Sequence, residues 1–126
     1  MRPVPTSVYA ASSMPNPYRN ADGSMTPAAR RGEALFTGQA GCIGCHVGEM
    51  RGGTKRHEWI GTTRPRVTLD VPHLVGAYES APYLHDGRAA TLEEIFTKYN
   101  PERRHGKADA LNAAQLADLL EYVREL

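Results

Sequence analysis

The chain has few cysteines and little net charge, and these shortages exclude several classes of protein. Two cysteines are too few for a framework of several disulfides or for a four-cysteine zinc site. No apolar run approaches the roughly 20 residues that a transmembrane helix requires. Fifteen Lys and Arg against fourteen Asp and Glu give a formal charge of +1, with no polybasic block. This balance gives no reason to expect a nucleic-acid or membrane-surface partner.

Both cysteines lie in a single pentapeptide, Cys42-Ile43-Gly44-Cys45-His46. The C-x-x-C-H spacing is the attachment signal of a c-type haem. In such a site the two thiols form thioether bonds with the haem vinyl groups, and the adjacent imidazole is the proximal ligand of the iron. The sequence therefore predicts one covalently attached haem c, held by Cys42, Cys45 and His46.

A C-x-x-C pair has two other interpretations, a zinc site and a redox pair. A zinc site normally uses four protein ligands, often with a second cysteine pair, which this chain does not have. A thioredoxin-like redox pair is expected in a βαβ setting, which the flanking sequence does not offer. The haem interpretation is favoured over both.

The length of 126 residues, with 40% hydrophobic and 23% charged, matches one globular domain plus a tail. Residues 1–23 have the proline-, serine- and asparagine-rich composition of an extended linker or tail, and the haem domain is expected over 24–126. Helices are predicted after the capping residues Thr26, Thr91 and Asn112. Because no run of alternating strands follows, the fold class is predicted to be all-α, with room for a short hairpin after the C-x-x-C-H segment.

Two helical segments resemble those of class I cytochromes c. The segment 30–36, Arg-Arg-Gly-Glu-Ala-Leu-Phe, resembles their first helix, and 119–123, Leu-Leu-Glu-Tyr-Val, resembles their last. The resemblance implies that the N- and C-terminal helices cross at Gly32, Phe36 and Tyr122, with the covalent haem in the core.

A more specific resemblance is to the C-terminal haem domain of bacterial dihaem cytochrome c peroxidases and related enzymes. It rests on the segments 71–74 (Val-Pro-His-Leu), 81–87 (Ala-Pro-Tyr-Leu-His-Asp-Gly) and 90–94 (Ala-Thr-Leu-Glu-Glu), and it covers about residues 16–126. Those enzymes carry two haems, whereas this chain has one C-x-x-C-H. The resemblance therefore implies an electron-relay domain without the centre that reduces peroxide.

The sixth ligand of the iron decides between electron transfer and small-molecule chemistry. His105 is the first candidate, because it lies where class I cytochromes carry their distal-ligand loop, and 59 residues after His46 leave ample chain to reach the far haem face. His85, within the peroxidase-like motif, is the alternative. Met50, His57 and His73 are weaker candidates, and an open sixth site is a further alternative.

The sequence leaves three functions open. The first is a monohaem cytochrome that carries single electrons between protein redox partners, with no catalytic residue of its own. The second is the electron-entry domain or subunit of a peroxidase-like enzyme whose upstream domain or partner subunit holds the other haem. The third is a haem sensor with an open sixth site.

Haem attachment of this type implies a periplasmic or otherwise exported protein. No signal peptide is visible at the start of the sequence, which predicts a trimmed start or a piece of a longer protein.

Overall fold

A computed structural model of the chain describes residues 15–53, 56–57, 69–101 and 103–126. Within these ranges the fold is mostly helical: α1 spans Pro27–Thr37, α2 spans Leu92–Thr97 and α3 spans Ala113–Glu125. A two-stranded antiparallel sheet joins β1, Arg56–His57, to β2, Leu69–Asp70. Single 3₁₀ turns are also present, at Cys42–Gly44, Ala77–Glu79 and Ala108–Ala110.

Each α-helix begins directly after the capping residue that the sequence predicts. The Thr26 side chain accepts a hydrogen bond from the backbone N–H of Ala29, and the Thr91 side chain accepts one from Glu94. Asn112 and Gln115 form a reciprocal capping box at the start of α3. These bonds satisfy backbone donors that have no partner inside the helix, and they fix where each helix starts.

The helices α1 and α3 pack closely because Gly32 has no side chain. A Cβ atom at Gly32 would lie 2.0 Å from the carbonyl oxygen of Asp118 and 2.8 Å from Cβ of Tyr122. One turn further along α1, the buried rings of Phe36 and Tyr122 meet edge to face with centroids 5.2 Å apart. This contact, with Leu119 and Ala29 beside it, forms the centre of one hydrophobic cluster. A second cluster joins α2 to the other side of α3.

A buried carboxylate joins the start of α1 to the end of α3. Glu125 is fully buried; its Oε1 accepts from the backbone N–H of Thr26 at 2.9 Å, and its Oε2 accepts from the Thr26 hydroxyl at 2.6 Å. Burial raises the pKa of Glu125, but hydrogen bonds from Glu121 and Thr26 outweigh it and hold the pKa below its ordinary value. Helical periodicity gives no indication of this contact, since a Glu in a last turn is usually solvated.

We expect Glu125→Ala to lower the free energy of unfolding by about 2–4 kcal/mol, because two partly buried donors of Thr26 lose their acceptor. The folded-state pKa lies below the ordinary value of 4.5, so this stabilisation is present above pH 4.5 and is lost as the pH falls through the folded-state pKa. Urea denaturation at pH 7 and pH 3 measures the difference. Glu49→Ala, an exposed loop position, is the control and should stay within about 0.5 kcal/mol of wild type. Equal stability of Glu125→Ala and wild type at pH 7 would contradict the prediction.

The described end of the predicted tail is attached to α3. The Asn16 amide donates to the carbonyl oxygen of Arg124 at 2.8 Å, and Nε of Arg19 donates to that of Glu125 at 2.6 Å. The domain boundary at 23/24 stays a prediction, and the first fourteen residues lie outside the described part of the chain. Among the residues described, no helix has the length and apolar character needed to span a membrane.

Candidate haem site

The C-x-x-C-H segment folds as a single tight turn. Gly41, at φ +70°, leads into the 3₁₀ turn Cys42–Gly44, and the carbonyl oxygen of Cys42 accepts from the backbone N–H groups of Cys45 at 3.1 Å and His46 at 2.9 Å. The turn brings the two half-buried cysteines and the histidine to one short stretch of surface, as thioether attachment next to an axial ligand requires.

Cys42 does not have the environment of a reactive thiol. Burial raises the pKa of the Cys42 thiol to about 11, whereas catalytic redox cysteines have lowered values. Within the described part of the chain, no three His, Cys, Asp or Glu side chains converge on a point where a metal ion would fit. Neither alternative reading of the cysteine pair gains support from this geometry.

Hydrogen bonds to backbone carbonyls orient the imidazole of His46. Its Nδ1 lies 2.9 Å from the carbonyl oxygen of Arg51 and 3.1 Å from that of Pro72. Both partners are acceptors, so Nδ1 carries the proton in the neutral ring and Nε2 carries the lone pair. A donor bond from the far nitrogen is the usual means by which proteins orient a metal-bound imidazole. The arrangement therefore fits a proximal haem ligand.

Two glycines allow the chain beneath His46 to pack tightly. A Cβ atom at Gly53 would lie 2.7 Å from the carbonyl oxygen of Cys45 and 3.2 Å from Cβ of Val71. A Cβ at Gly52 would lie 2.2 Å from Cδ2 of His73. The segment after the cysteines is thus held between the C-x-x-C-H turn and residues 71–73, which brings the Pro72 carbonyl to His46.

In the folded chain His105 is subject to the charge of His46, although 59 residues separate them in the sequence. Its half-buried ring packs against Phe96 with centroids 5.3 Å apart. Burial, together with the charge of His46, lowers the pKa of His105 to about 4. The imidazole is therefore neutral at pH 7, as an iron ligand must be.

The loop that carries His105 is anchored at both ends. The side-chain oxygen of the buried Asn100 accepts from the backbone N–H of His105 at 3.3 Å. The backbone N–H of Lys107 donates to the carbonyl oxygen of Ala40 at 2.9 Å. Since Ala40 precedes Cys42 by two residues, the loop is tied to the C-x-x-C-H turn.

The other candidate ligands lie in different surroundings. His85 is exposed, in the turn that ends at Gly87. His73 is exposed and rests on Gly52, and the side chain of Met50 is 47% exposed. The side chain of His57 lies outside the described residues.

Sequence patterns did not identify the residues that orient His46. The acceptors are the main-chain carbonyls of Arg51 and Pro72, and a carbonyl oxygen is present at every position whatever the side chain. The arginine itself sits in an irregular glycine-containing loop, where a charged residue is usually solvated. A sequence signal for this role is therefore lacking.

The chain is similar to an enzyme subunit, a methylamine utilization protein and a peroxidase. It is 29% identical to the hydrazine synthase subunit gamma of Kuenenia stuttgartiensis, over 88% of this chain and 44% of that protein. It is 33% identical to the methylamine utilization protein MauG of Methylorubrum extorquens, over 56% of this chain and 24% of that protein. It is 27% identical to the cytochrome-c peroxidase IdrP1 of a Pseudomonas species, over 96% of this chain and 46% of that protein. The chain thus spans less than half the length of each of these relatives.

A solved structure of Kuenenia stuttgartiensis hydrazine synthase, pressurised with xenon, has the same fold over most of this chain. The TM-score is 0.75 at 28% identity, and the match covers 90% of this chain and 50% of that one. The cytochrome c family model matches residues 29–126, which include most of α1, all of α2 and α3, and the C-x-x-C-H turn. The chain belongs to the cytochrome c family, whose domains hold haem c covalently.

Proposed function

We propose that this chain is a c-type cytochrome domain that binds one haem c through Cys42 and Cys45, with His46 as the proximal ligand, and carries single electrons between protein redox partners. The observation that carries the proposal is the pair of hydrogen bonds from Nδ1 of His46 to backbone carbonyls. They place the proton of the neutral ring on Nδ1 and leave the lone pair on Nε2, in the residue that directly follows Cys45. A haem bound there supplies a one-electron iron couple.

The surrounding residues would exclude water and limit movement around the prosthetic group. Phe36 and Tyr122 close the helix pair beside His46, and the centroids of the Phe36 and His46 rings are 6.4 Å apart. In the proposed architecture α1 and α3 cross at Gly32, as in class I cytochromes, and the haem completes the core between them and the His105 loop. A rigid, apolar setting favours electron transfer because few atoms must move when the iron changes charge.

His105 is proposed as the distal ligand. Its ring is neutral at pH 7 and is subject to the charge of His46, and its loop is tied to the C-x-x-C-H turn. His85 remains the alternative, but its exposed ring has no comparable support from the described contacts. An open sixth site would instead favour the sensor hypothesis.

We expect His105→Ala to convert the oxidised haem from low-spin to largely high-spin, because the iron loses its second protein ligand. Absorption and electron paramagnetic resonance spectra of the ferric protein measure the change. His85→Ala is the matched control and should keep the low-spin spectrum. A low-spin spectrum in His105→Ala, with its loss in His85→Ala, would transfer the role to His85. A high-spin wild-type spectrum would favour the sensor.

Electron transfer itself is tested with the wild-type chain produced in an exporting host that attaches haem c. We expect covalently bound haem, a reversible one-electron titration and rapid oxidation or reduction by a small redox protein. A protein with bound haem that cycles under none of these conditions would contradict the proposed role.

A second candidate is the electron-entry domain or subunit of a larger haem enzyme. It is favoured by the relatives, which include proteins named as cytochrome-c peroxidases and a hydrazine synthase subunit and of which this chain spans less than half. Adding peroxide and a reduced donor distinguishes the two proposals. Steady turnover by this chain alone would make it an enzyme, whereas turnover only with a second haem domain would make it the relay.

The proposed location is periplasmic or otherwise exported, since covalent attachment to C-x-x-C-H takes place outside the bacterial cytoplasm. Expression of the chain with and without an export signal tests this: coloured protein is expected only from the exported form.

A further inference from the structure

We propose that Arg51 is a positioning residue for His46, and that it transmits the packing of α1 and α3 to the proximal side of the haem. This inference rests on the haem site proposed above. It concerns one residue, whose backbone carbonyl contacts the proximal histidine and whose side chain contacts the helix pair.

The backbone of Arg51 makes the first half of this link. Its carbonyl oxygen lies 2.9 Å from Nδ1 of His46, the shorter of the two bonds at that nitrogen. To present this carbonyl the residue adopts φ +52°, in the left-handed region that residues with a side chain rarely enter. Because that conformation costs energy for any residue except glycine, other contacts must hold it in place.

The guanidinium of Arg51 supplies those contacts. Its Nε donates to the hydroxyl of Tyr122 at 3.0 Å, and its Nη1 donates to the carbonyl oxygen of Gly48 at 3.4 Å. Its central carbon lies 5.3 Å from the centroid of the Phe36 ring, within the range of a cation–π contact. The Oε2 of Glu33 forms an ion pair with Nη2 of Arg51 at 3.9 Å.

These partners belong to the helix interface that forms the core. Tyr122 and Phe36 are 1% and 0% exposed and face each other across α1 and α3. The side chain of Arg51 is itself only 19% exposed, so its bonds are shielded from competing water. The direction of the His46 ring is therefore coupled to the fit between α1 and α3 through one residue.

The coupling has a chemical consequence at the imidazole. A firm bond from Nδ1–H to the Arg51 carbonyl gives the ring partial imidazolate character and strengthens its donation to the iron. Loosening that bond weakens donation and lets the ring rotate. Arg51 thus helps to set both the potential and the electronic symmetry of the haem, without touching the iron.

The test compares three variants with haem attached. Arg51→Gln removes the guanidinium donors and the positive charge. Tyr122→Phe removes the hydroxyl acceptor and leaves the charge. Arg51→Lys keeps the charge but removes the planar set of guanidinium donors. We expect the Nδ1 proton of His46 to exchange with solvent about tenfold faster in Arg51→Gln, as for the loss of one hydrogen bond. A smaller increase is expected in Tyr122→Phe and Arg51→Lys.

Hyperfine-shifted proton resonances report this exchange in the oxidised protein, and electron paramagnetic resonance g values and the midpoint potential report the electronic effect. Tyr122→Phe should raise the potential, since weaker donation disfavours the ferric state. The control is Arg30→Gln, which removes a charge from an exposed position on α1 and should leave the exchange rate and g values unchanged.

Two failures are distinguishable. Coloured Arg51→Gln and Tyr122→Phe proteins with wild-type exchange rates, g values and potentials would overturn the role of Arg51 and leave the haem proposal intact. A colourless wild-type chain from the exporting, haem-attaching host would overturn the haem proposal and this one with it.

Discussion

The double variant Cys42→Ala, Cys45→Ala is expected to lose covalently bound haem completely. The two thiols are the chain's only cysteines, so no other side chain can form the thioether bonds. Mass spectrometry under denaturing conditions, with the alkaline pyridine spectrum, measures the result. The wild-type chain should carry the mass of one haem and the double variant the mass of the polypeptide alone.

Loss of the haem should also destabilise the fold. The porphyrin would bury against the cluster that holds Phe36 and Tyr122, and in a domain of this size the two hydrophobic clusters alone make a small core. We expect thermal unfolding of the double variant to be broad or shifted down by tens of degrees, since bound ligand and covalent staple are lost together. Met50→Leu, at an exposed site four residues after His46, is the control and should keep both haem and stability. Haem that stays attached in the double variant through acid–acetone extraction would contradict the assignment of the two cysteines.

The variant Gly32→Ala is expected to lower the free energy of unfolding by about 3 kcal/mol or more. Its new methyl group would meet the backbone of Asp118, with the carbonyl oxygen at 2.0 Å and the carbonyl carbon at 2.7 Å. Backbone atoms cannot rotate away as a side chain can, so α1 and α3 must separate. The better helix propensity of alanine recovers only about 1 kcal/mol.

Denaturation of the haem-loaded protein measures the effect of Gly32→Ala. The control, Ala34→Ser, adds one atom on an exposed position of the same helix and should change stability by about 0.5 kcal/mol or less. Because Arg51 bonds to Tyr122, separation of the helices should also alter the g values of the haem in Gly32→Ala. Stability equal to that of wild type would show that the two helices can part at little cost.

Local sequence patterns predicted the secondary structure well. Thr26, Thr91 and Asn112 each cap a helix, because a short side-chain oxygen at that position satisfies a backbone donor within three residues. These are interactions between near neighbours, which the order of residues alone determines. The cytochrome c family membership followed from motifs of the same local kind.

Contacts between distant segments were harder to predict from the sequence. Gly32 predicted a close helix approach, but nothing in the pattern indicated that Glu125 would bury its carboxylate against Thr26. A glutamate in the last turn of a helix is equally compatible with solvent, and only the packing of α1 on α3 brings two donors to it. Sequence reasoning therefore found the faces of the helices and missed one of the polar bonds that join their ends.

The sequence by itself predicted the haem-attachment residues: two thiols and an imidazole within five residues fit the C-x-x-C-H signal, and that spacing depends on a single turn of chain. Only the tertiary structure decided what surrounds the imidazole. Folding brings the carbonyls of Arg51 and Pro72 to Nδ1 of His46, and it ties the loop of His105 to the C-x-x-C-H turn through Lys107 and Ala40. Every residue has a main-chain carbonyl, so the sequence does not indicate which carbonyls will accept a bond from His46. Packing sets the direction of each carbonyl, and only the folded structure identifies the acceptors.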